Sequence, residues 1–124
     1  MKLIIKSKQN YGAHIDEFVE EFQCSVEENE EELKINFEEG FIKLEENKMT
    51  YERKENKIVV EPEKTNECDY DTPYGMFVLD IKGLSLENNY INKKQTQGII
   101  AIVKYEIQMV GVEPYENNIE IIIE

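Results

Sequence analysis

Hydrophobic and polar residues alternate along the chain with a period of two from Leu33 to the C terminus. In LKINF, Leu33, Ile35 and Phe37 alternate with two polar residues, and FIKLEE, NKMTYERK and NKIVVE follow as further short apolar segments. Side chains of a strand point alternately to its two faces, so this period predicts β-strands. The connections EENK and KENK are polar and short enough for hairpins. Adjacent antiparallel strands therefore explain this part of the chain.

The longest predicted strand is GIIAIVKYEIQMV, residues 98–110. One of its faces is apolar throughout: Ile99, Ala101, Val103, Tyr105, Ile107 and Met109. MKLIIKSK, MFVLDIKGLSLENNYI and NIEIIIE predict further strands, with a turn or bulge at Gly83 and no proline inside any of them. EPEKTNECD is a loop or an extended edge, NKKQTQ is a polar loop, and GVEPYEN is a turn.

The segment HIDEFVEEFQ departs from the period of two. Four apolar residues are spaced i, i+3, i+4 and i+7, namely Ile15, Phe18, Val19 and Phe22. This spacing predicts a short helix over residues 15–23. A strand is the alternative, because Phe22, Cys24 and Val26 also alternate.

These elements sum to eight or nine strands and one short N-terminal helix. Many short strands with tight turns are typical of sandwiches and barrels, and closure into a barrel removes exposed edges. A chain of 124 residues has the length of one domain. We therefore expect a mainly β, antiparallel barrel that occupies residues 1–124 as a single domain.

Charge narrows the classes of partner. The chain carries 27 acidic and 14 basic residues, a formal net charge of −13. Proteins bind nucleic acids and anionic membranes largely through lysine and arginine, so we expect neither as a partner of a protein with this negative charge. The glutamate-rich segment SVEENEEEL predicts a solvated loop. The first ten residues lack the apolar core of a secretory signal, and no apolar run approaches the roughly 20 residues of a membrane helix, so we expect a cytoplasmic protein.

Candidate chemistry is sparse. His14 is the only histidine, and Cys24 and Cys68 lie far apart outside any C-x-x-C pair, so we expect two free thiols and neither a metal site nor a cofactor. A pairing of a cysteine with His14 is the remaining arrangement for nucleophilic catalysis. The chain contains no G-x-S-x-G and no phosphate-binding glycine loop. We therefore expect a protein that is not an enzyme.

The segment YDTPYG, residues 70–75, has a structural and a functional interpretation. Pro73 fixes its own φ, Gly75 tolerates positive φ, and Asp71 can bond nearby amides, which together predict a corner leading into the next strand. Tyrosine combines a large apolar ring with a polar tip, which suits the wall of a pocket. The candidate residues for a pocket or its rim are Tyr51, Tyr70, Tyr74 and Tyr105.

The arrangement of YDTPYG, QGIIAIVKYEIQMVG and NNIEIIIE resembles the YwiB-like family of small bacterial proteins. LKINFEEGFIKLEENKMTYERKE is similar to the first half of that family, and the segments TPYG and KYEI carry the most specific likeness. The resemblance covers residues 32–124 and the opening strand. It implies a calycin-like, lipocalin-related β-barrel without an established activity. Residues 12–31 are longer and more acidic than the family pattern, which leaves the N-terminal strand count open.

Two functions of different classes remain open at this point. In the first, the barrel binds a small apolar ligand, because an eight-stranded barrel is just wide enough either to be filled by side chains or to hold one such molecule. In the second, the barrel is plugged, and the acidic segment of residues 25–32 meets a basic protein partner. A homodimer is also left open. A cavity of several hundred cubic ångströms would favour the first function.

Overall fold

The computed structural model describes residues 1–54 and 56–124, so Glu55 in the predicted KENK turn lies outside the described residues. The described part of the chain forms ten strands and one short helix. In chain order these are β1 (Lys2–Asn10), β2 (Ile15–Glu28), β3 (Glu32–Phe37), β4 (Gly40–Glu45), β5 (Lys48–Arg53), β6 (Asn56–Val60), β7 (Thr65–Thr72), β8 (Gly75–Asn88), α1 (Asn89–Lys93), β9 (Gly98–Met109) and β10 (Val112–Ile123).

The strands form one antiparallel sheet in the order β6-β5-β4-β3-β2-β1-β10-β9-β8-β7. Every pairing joins consecutive strands except β1 with β10, in which Leu3 lies opposite Ile123. The terminal strands of the sheet, β6 and β7, come together and nearly close a barrel. The barrel predicted from the period of two is therefore confirmed, with ten strands in place of eight or nine.

Side-chain amides bridge the seam between β6 and β7. The Asn56 Nδ2 atom donates a hydrogen bond to the Asp71 carbonyl (3.2 Å), and the Asp71 N–H donates to Asn56 Oδ1 (2.9 Å). Asn66 Nδ2 donates to the Val59 carbonyl at 3.4 Å. Edge strands present unpaired backbone groups, and these amides satisfy some of them.

One half of the interior, here called the closed end, is filled with aliphatic side chains. It lies where β1 begins and β10 ends, and all its members are almost fully buried: Leu3, Ile5, Ile35, Ile42, Leu44, Met49, Val60, Ile100, Ala101, Ile121 and Ile123. Burial of this apolar surface is the main source of stability in such a domain.

The predicted helix over residues 15–23 is wrong, because this segment forms the first part of β2. It pairs with β1 from Asn10↔Ile15 to Lys2↔Gln23. A spacing of four is even, so Phe18 and Phe22 share a face in a strand as well as in a helix. Ile15 and Val19 point outward and are exposed. Because the segment pairs with β1, it adopts the strand, and the alternation of Phe22, Cys24 and Val26 indicated the correct structure.

Three connections also differ from the prediction. SVEENEEEL, predicted as a loop, is mostly strand, because β2 runs to Glu28 and β3 begins at Glu32. In the short turn between them, the Asn29 side chain accepts hydrogen bonds from the Glu31 and Glu32 amides. NYI at the end of the predicted strand lies instead in α1. Asn88 caps the N-terminus of this helix, because its side-chain oxygen accepts a hydrogen bond from the Ile91 N–H. The turn in GVEPYEN is confined to residues 110–111, and Pro114 lies inside β10 where the register with β9 shifts.

The long strand β9 follows its predicted facing except at its start. A register shift opposite Ile121 and Ile122 turns Ile100 into the core at 0% exposure and leaves Ile99 exposed at 36%. Ala101, Val103 and Tyr105 are buried as predicted. Within the described residues, no helix has the length and apolar character needed to cross a bilayer.

Candidate functional site

The other half of the barrel, here called the open end, contains a cavity of about 680 Å³. On the inward face of β1, Leu3 and Ile5 in the closed end give way to Ser7 and Gln9, which line this cavity. The inward face of β10 changes in the same way, from isoleucines at its end to Asn117 and Tyr115 near its beginning. Smaller or polar side chains at these positions leave the space that aliphatic side chains fill elsewhere.

Apolar and aromatic side chains make most of the cavity wall. The apolar members are Phe18, Ile58, Phe77, Leu79, Ile81, Ile107, Met109 and Ile119. Ligand pockets are usually lined in this way, with a few polar groups that fix orientation, and have volumes of roughly 300–1,000 Å³. The cavity therefore has the size and lining of a small-molecule site.

Three of the four tyrosines proposed from the sequence line this cavity. Tyr51 and Tyr105 are buried in its wall, and Tyr70 is partly exposed near its mouth. Tyr74 does not line it and is 93% exposed. A fourth cavity tyrosine, Tyr115, was not singled out from the sequence. The role of these residues in binding stays a prediction.

YDTPYG forms the hairpin between β7 and β8. Thr72 pairs with Gly75, so Pro73 and Tyr74 alone make the turn. The Thr72 hydroxyl accepts from the Tyr74 N–H (3.1 Å) and donates to the Gly75 carbonyl (2.9 Å). Gly75 has φ +123°, a conformation that favours glycine. The predicted corner is confirmed, with the Thr72 hydroxyl bonding the turn in place of the predicted Asp71 side chain.

A cluster of four charges lies at one side of the cavity. The Arg53 guanidinium donates two hydrogen bonds to the Glu20 carboxylate (2.8 and 2.6 Å) and one from Nε to Glu39. Lys54 Nζ lies 3.6 Å from Glu39 Oε1. The hydrogen bond from Arg53 holds the pKa of Glu20 below its usual value, and the Glu20 carboxylate raises the pKa of Arg53. The two positive and two negative charges cancel, and each cation already has a carboxylate partner.

A polar pair, Tyr105 and Asn117, lies deeper in the wall. The two residues face each other across β9 and β10, and Asn117 Nδ2 donates to the Tyr105 hydroxyl at 2.9 Å. Both are buried, at 3% and 6% exposure, and Asn117 Oδ1 has no hydrogen-bond partner among the residues that the structure describes. Burial raises the pKa of Tyr105, so its hydroxyl keeps its proton at neutral pH. The pair thus offers one donor and one acceptor.

The residues considered for catalysis or metal binding lie elsewhere. His14 is exposed in the connection between β1 and β2, where its ring stacks on Tyr11 at 4.8 Å. Cys24 and Cys68 are free thiols whose pKa values are raised by burial. Among residues 1–54 and 56–124, no group of three histidine, cysteine or acidic side chains is arranged to hold a metal ion.

Sequence reasoning missed Arg53, Glu20 and Asn117. A signal for two of them was present. In NKMTYERK, Arg53 occupies the inward position after Met49 and Tyr51, and Asn117 occupies the inward position before Ile119 and Ile121. A polar residue at an inward position of an apolar strand marks either a partner inside the barrel or a cavity.

Comparison with known proteins agrees with this architecture. The sequence model of a family described as Domain of unknown function (DUF1934) matches residues 3–121. The crystal structure of the ywiB protein from Bacillus subtilis superposes with a TM-score of 0.71 at 11% identity, covering 99% of this chain and 90% of that chain. At this identity the likeness concerns the fold alone. No curated protein sequence gives a significant match.

Proposed function

The chain belongs to the YwiB-like family described as Domain of unknown function (DUF1934), and within it we propose that this protein binds a small, largely apolar molecule in the open end of the barrel. The observation that carries the proposal is the cavity of about 680 Å³ with its apolar and aromatic wall. A plugged barrel would have filled this space with side chains. The proposal includes a calycin-like mode of binding, in which the ligand enters one end of the barrel.

The energetics of the wall support an apolar ligand. Each CH₂ group transferred from water into an apolar site contributes about 0.8 kcal/mol. A chain of eight to ten carbons therefore gains about 6–8 kcal/mol when fully buried, which exceeds the lower estimates, about 4 kcal/mol, of the cost of its lost free motion on binding. Phe18, Phe77 and Leu79 provide the surface against which such a chain packs.

The proposed role is binding and not catalysis. Burial raises the pKa of both thiols, so they are protonated at neutral pH and poor nucleophiles. His14, the remaining candidate base, is exposed in a connection outside the cavity wall. The two free thiols also support the expected cytoplasmic location, where cysteines stay reduced.

Two neighbouring positions on β8 allow a controlled test. Leu79 lines the cavity, whereas Val78 points outward and is 47% exposed. We expect purified protein to bind the neutral fluorescent probe N-phenyl-1-naphthylamine saturably. Leu79→Trp should occupy part of the cavity and weaken probe binding at least about tenfold, while Val78→Trp should not.

Circular dichroism and thermal melting would establish that both variants are folded. Absence of saturable probe binding by the unmodified protein, together with absence of any retained small molecule in native mass spectrometry, would refute the proposal. Equal weakening by the two tryptophan variants would place the probe outside the cavity and would refute it as well.

A further inference from the structure

The buried Tyr105–Asn117 pair lacks hydrogen-bond partners for some of its polar atoms within the described part of the chain. Buried polar groups in folded proteins nearly always have a partner, and leaving one unpaired costs about 1–3 kcal/mol. Asn117 uses Nδ2 on the Tyr105 hydroxyl, which leaves Oδ1 without a donor. In the described part of the chain, the Tyr105 hydroxyl has no acceptor for its own proton. Both residues line the cavity, and Asn117 Oδ1 itself has almost no accessible surface, so a bound molecule that supplies the missing partners has to be met by a small rotation of the Asn117 side chain.

The partner that completes this pair must both donate and accept. A hydroxyl group donates to Asn117 Oδ1 and accepts from the Tyr105 hydroxyl, and a primary amide does the same with two atoms. An ether or an ester accepts only, which leaves Asn117 Oδ1 unpaired. An ionised carboxylate also accepts only and brings a negative charge.

The charges around the cavity disfavour an anionic group. The cations in its lining are Arg53 and Lys54, and both are already held by Glu20 or Glu39. An anionic ligand would have to compete with these carboxylates for Arg53 or Lys54. The net charge of −13 adds a long-range repulsion. A neutral polar group meets neither obstacle.

We propose, on the basis of the ligand-binding function above, that the cavity selects an apolar molecule ending in a neutral alcohol or primary amide, which the Tyr105–Asn117 pair binds. Tyr105 donates to the oxygen of this group and Asn117 accepts its hydrogen. The hydrocarbon part extends past Ile107 and Phe77 toward the mouth of the cavity. Selection against fatty-acid anions follows from the same arrangement.

A matched series of ligands tests the inference. Decan-1-ol, methyl decyl ether and decanoate each contain a straight chain of ten carbons and differ in the end group, and each competes with N-phenyl-1-naphthylamine at pH 8. We expect the alcohol to bind about tenfold more tightly than the ether, the difference that one or two neutral hydrogen bonds produce, and decanoate to bind most weakly.

Variants of the pair provide the second arm. Asn117→Leu removes the acceptor that only the alcohol uses, so it should weaken alcohol binding about tenfold and leave ether binding nearly unchanged. The milder Tyr105→Phe removes a donor that both ligands use, so it should weaken both. Tyr90→Phe removes a hydroxyl that bonds to the Asn29 carbonyl outside the cavity, and it should change neither affinity.

The outcomes separate this inference from the proposed function. Absence of binding by the probe and by all three ligands overturns both. Equal affinities for alcohol and ether, or equal losses of both in Asn117→Leu, overturn the end-group selection while the binding function stands. Tighter binding of decanoate than of decan-1-ol also overturns it, because the paired cations would then be accessible to an anion.

Discussion

Two isoleucines placed in the two halves of the barrel should respond very differently to truncation. Ile121 lies in the closed end with 0% exposure, whereas Ile107 is half-buried and lines the cavity. Both are in strands, β10 and β9, so the substitution Ile→Ala removes the same atoms from similar backbone. The contrast tests whether the interior is packed at one end and hollow at the other.

The expected magnitudes follow from burial. Ile→Ala removes three carbon groups, or about 2.5 kcal/mol of transfer free energy at a fully buried site. At position 121 a new cavity adds about 1–2 kcal/mol, for a total loss of about 4 kcal/mol. At position 107 the side chain is already partly hydrated and borders an existing cavity, so the loss should be about 1 kcal/mol. A difference of about 3 kcal/mol is large beside a typical total stability of roughly 5–15 kcal/mol.

Urea denaturation followed by circular dichroism measures both losses. The slope with urea should stay constant among the variants, so that the midpoints report stability alone. Ile121→Val, with an expected loss of about 1 kcal/mol, serves if Ile121→Ala does not fold. Equal losses at positions 107 and 121, or a larger loss at 107, would contradict a hollow open end.

Two further predictions concern the seam and the charge cluster. Asn56→Ala removes both hydrogen bonds to the Asp71 backbone, so we expect the free energy of unfolding to fall by about 1–2 kcal/mol and the Asp71 amide to exchange its hydrogen faster. Asn92→Ala, at an exposed position, is the control. Unchanged exchange at Asp71 would show that the amide bridge is not formed. The hydrogen bond from Arg53 lowers the pKa of Glu20 in the folded state below its value in the unfolded chain. This carboxylate therefore stabilises the fold above the unfolded-state pKa, and its contribution disappears as the pH falls through the lowered pKa. Between pH 7 and pH 3, Glu20→Gln should therefore lose less free energy of unfolding than the unmodified protein, with a difference of under about 1 kcal/mol because the pair is partly exposed. Identical pH profiles of the two proteins in urea denaturation would contradict a lowered pKa of Glu20.

The sequence was most informative where one face of a strand is buried. Alternation from Leu33 onward predicted the hairpins of β3 to β6 and most of β9, because burial on a single face imposes a period of two. It was least informative over residues 15–23. There the inward residues Asp16 and Glu20 are polar and only partly buried, and Glu20 lines the open end, so the apolar alternation was lost.

The site was predictable only in part, for a related reason. Tyrosines at inward positions were visible in the sequence, but the distance between strands that creates the cavity depends on closure of the whole barrel. The ion pair between Arg53 and Glu20 joins residues from β5 and β2, which are not neighbours in the sheet. The register shift at Ile122 likewise arises from pairing between strands and leaves no local mark, whereas the shift after Gly83 confirms the bulge predicted from that glycine.

The pairing of β1 with β10 has a consequence for the order of folding. All other ladders close short chain segments and can form early as local hairpins, whereas Leu3 meets Ile123 only after nearly the whole polypeptide has been drawn together. The entropy of closing such a long segment is lost before the contact is gained, which slows folding. Two independent meanders, β1 to β6 and β7 to β10, are therefore expected to assemble first, and the pairing of β1 with β10 sets the rate at which the native barrel appears.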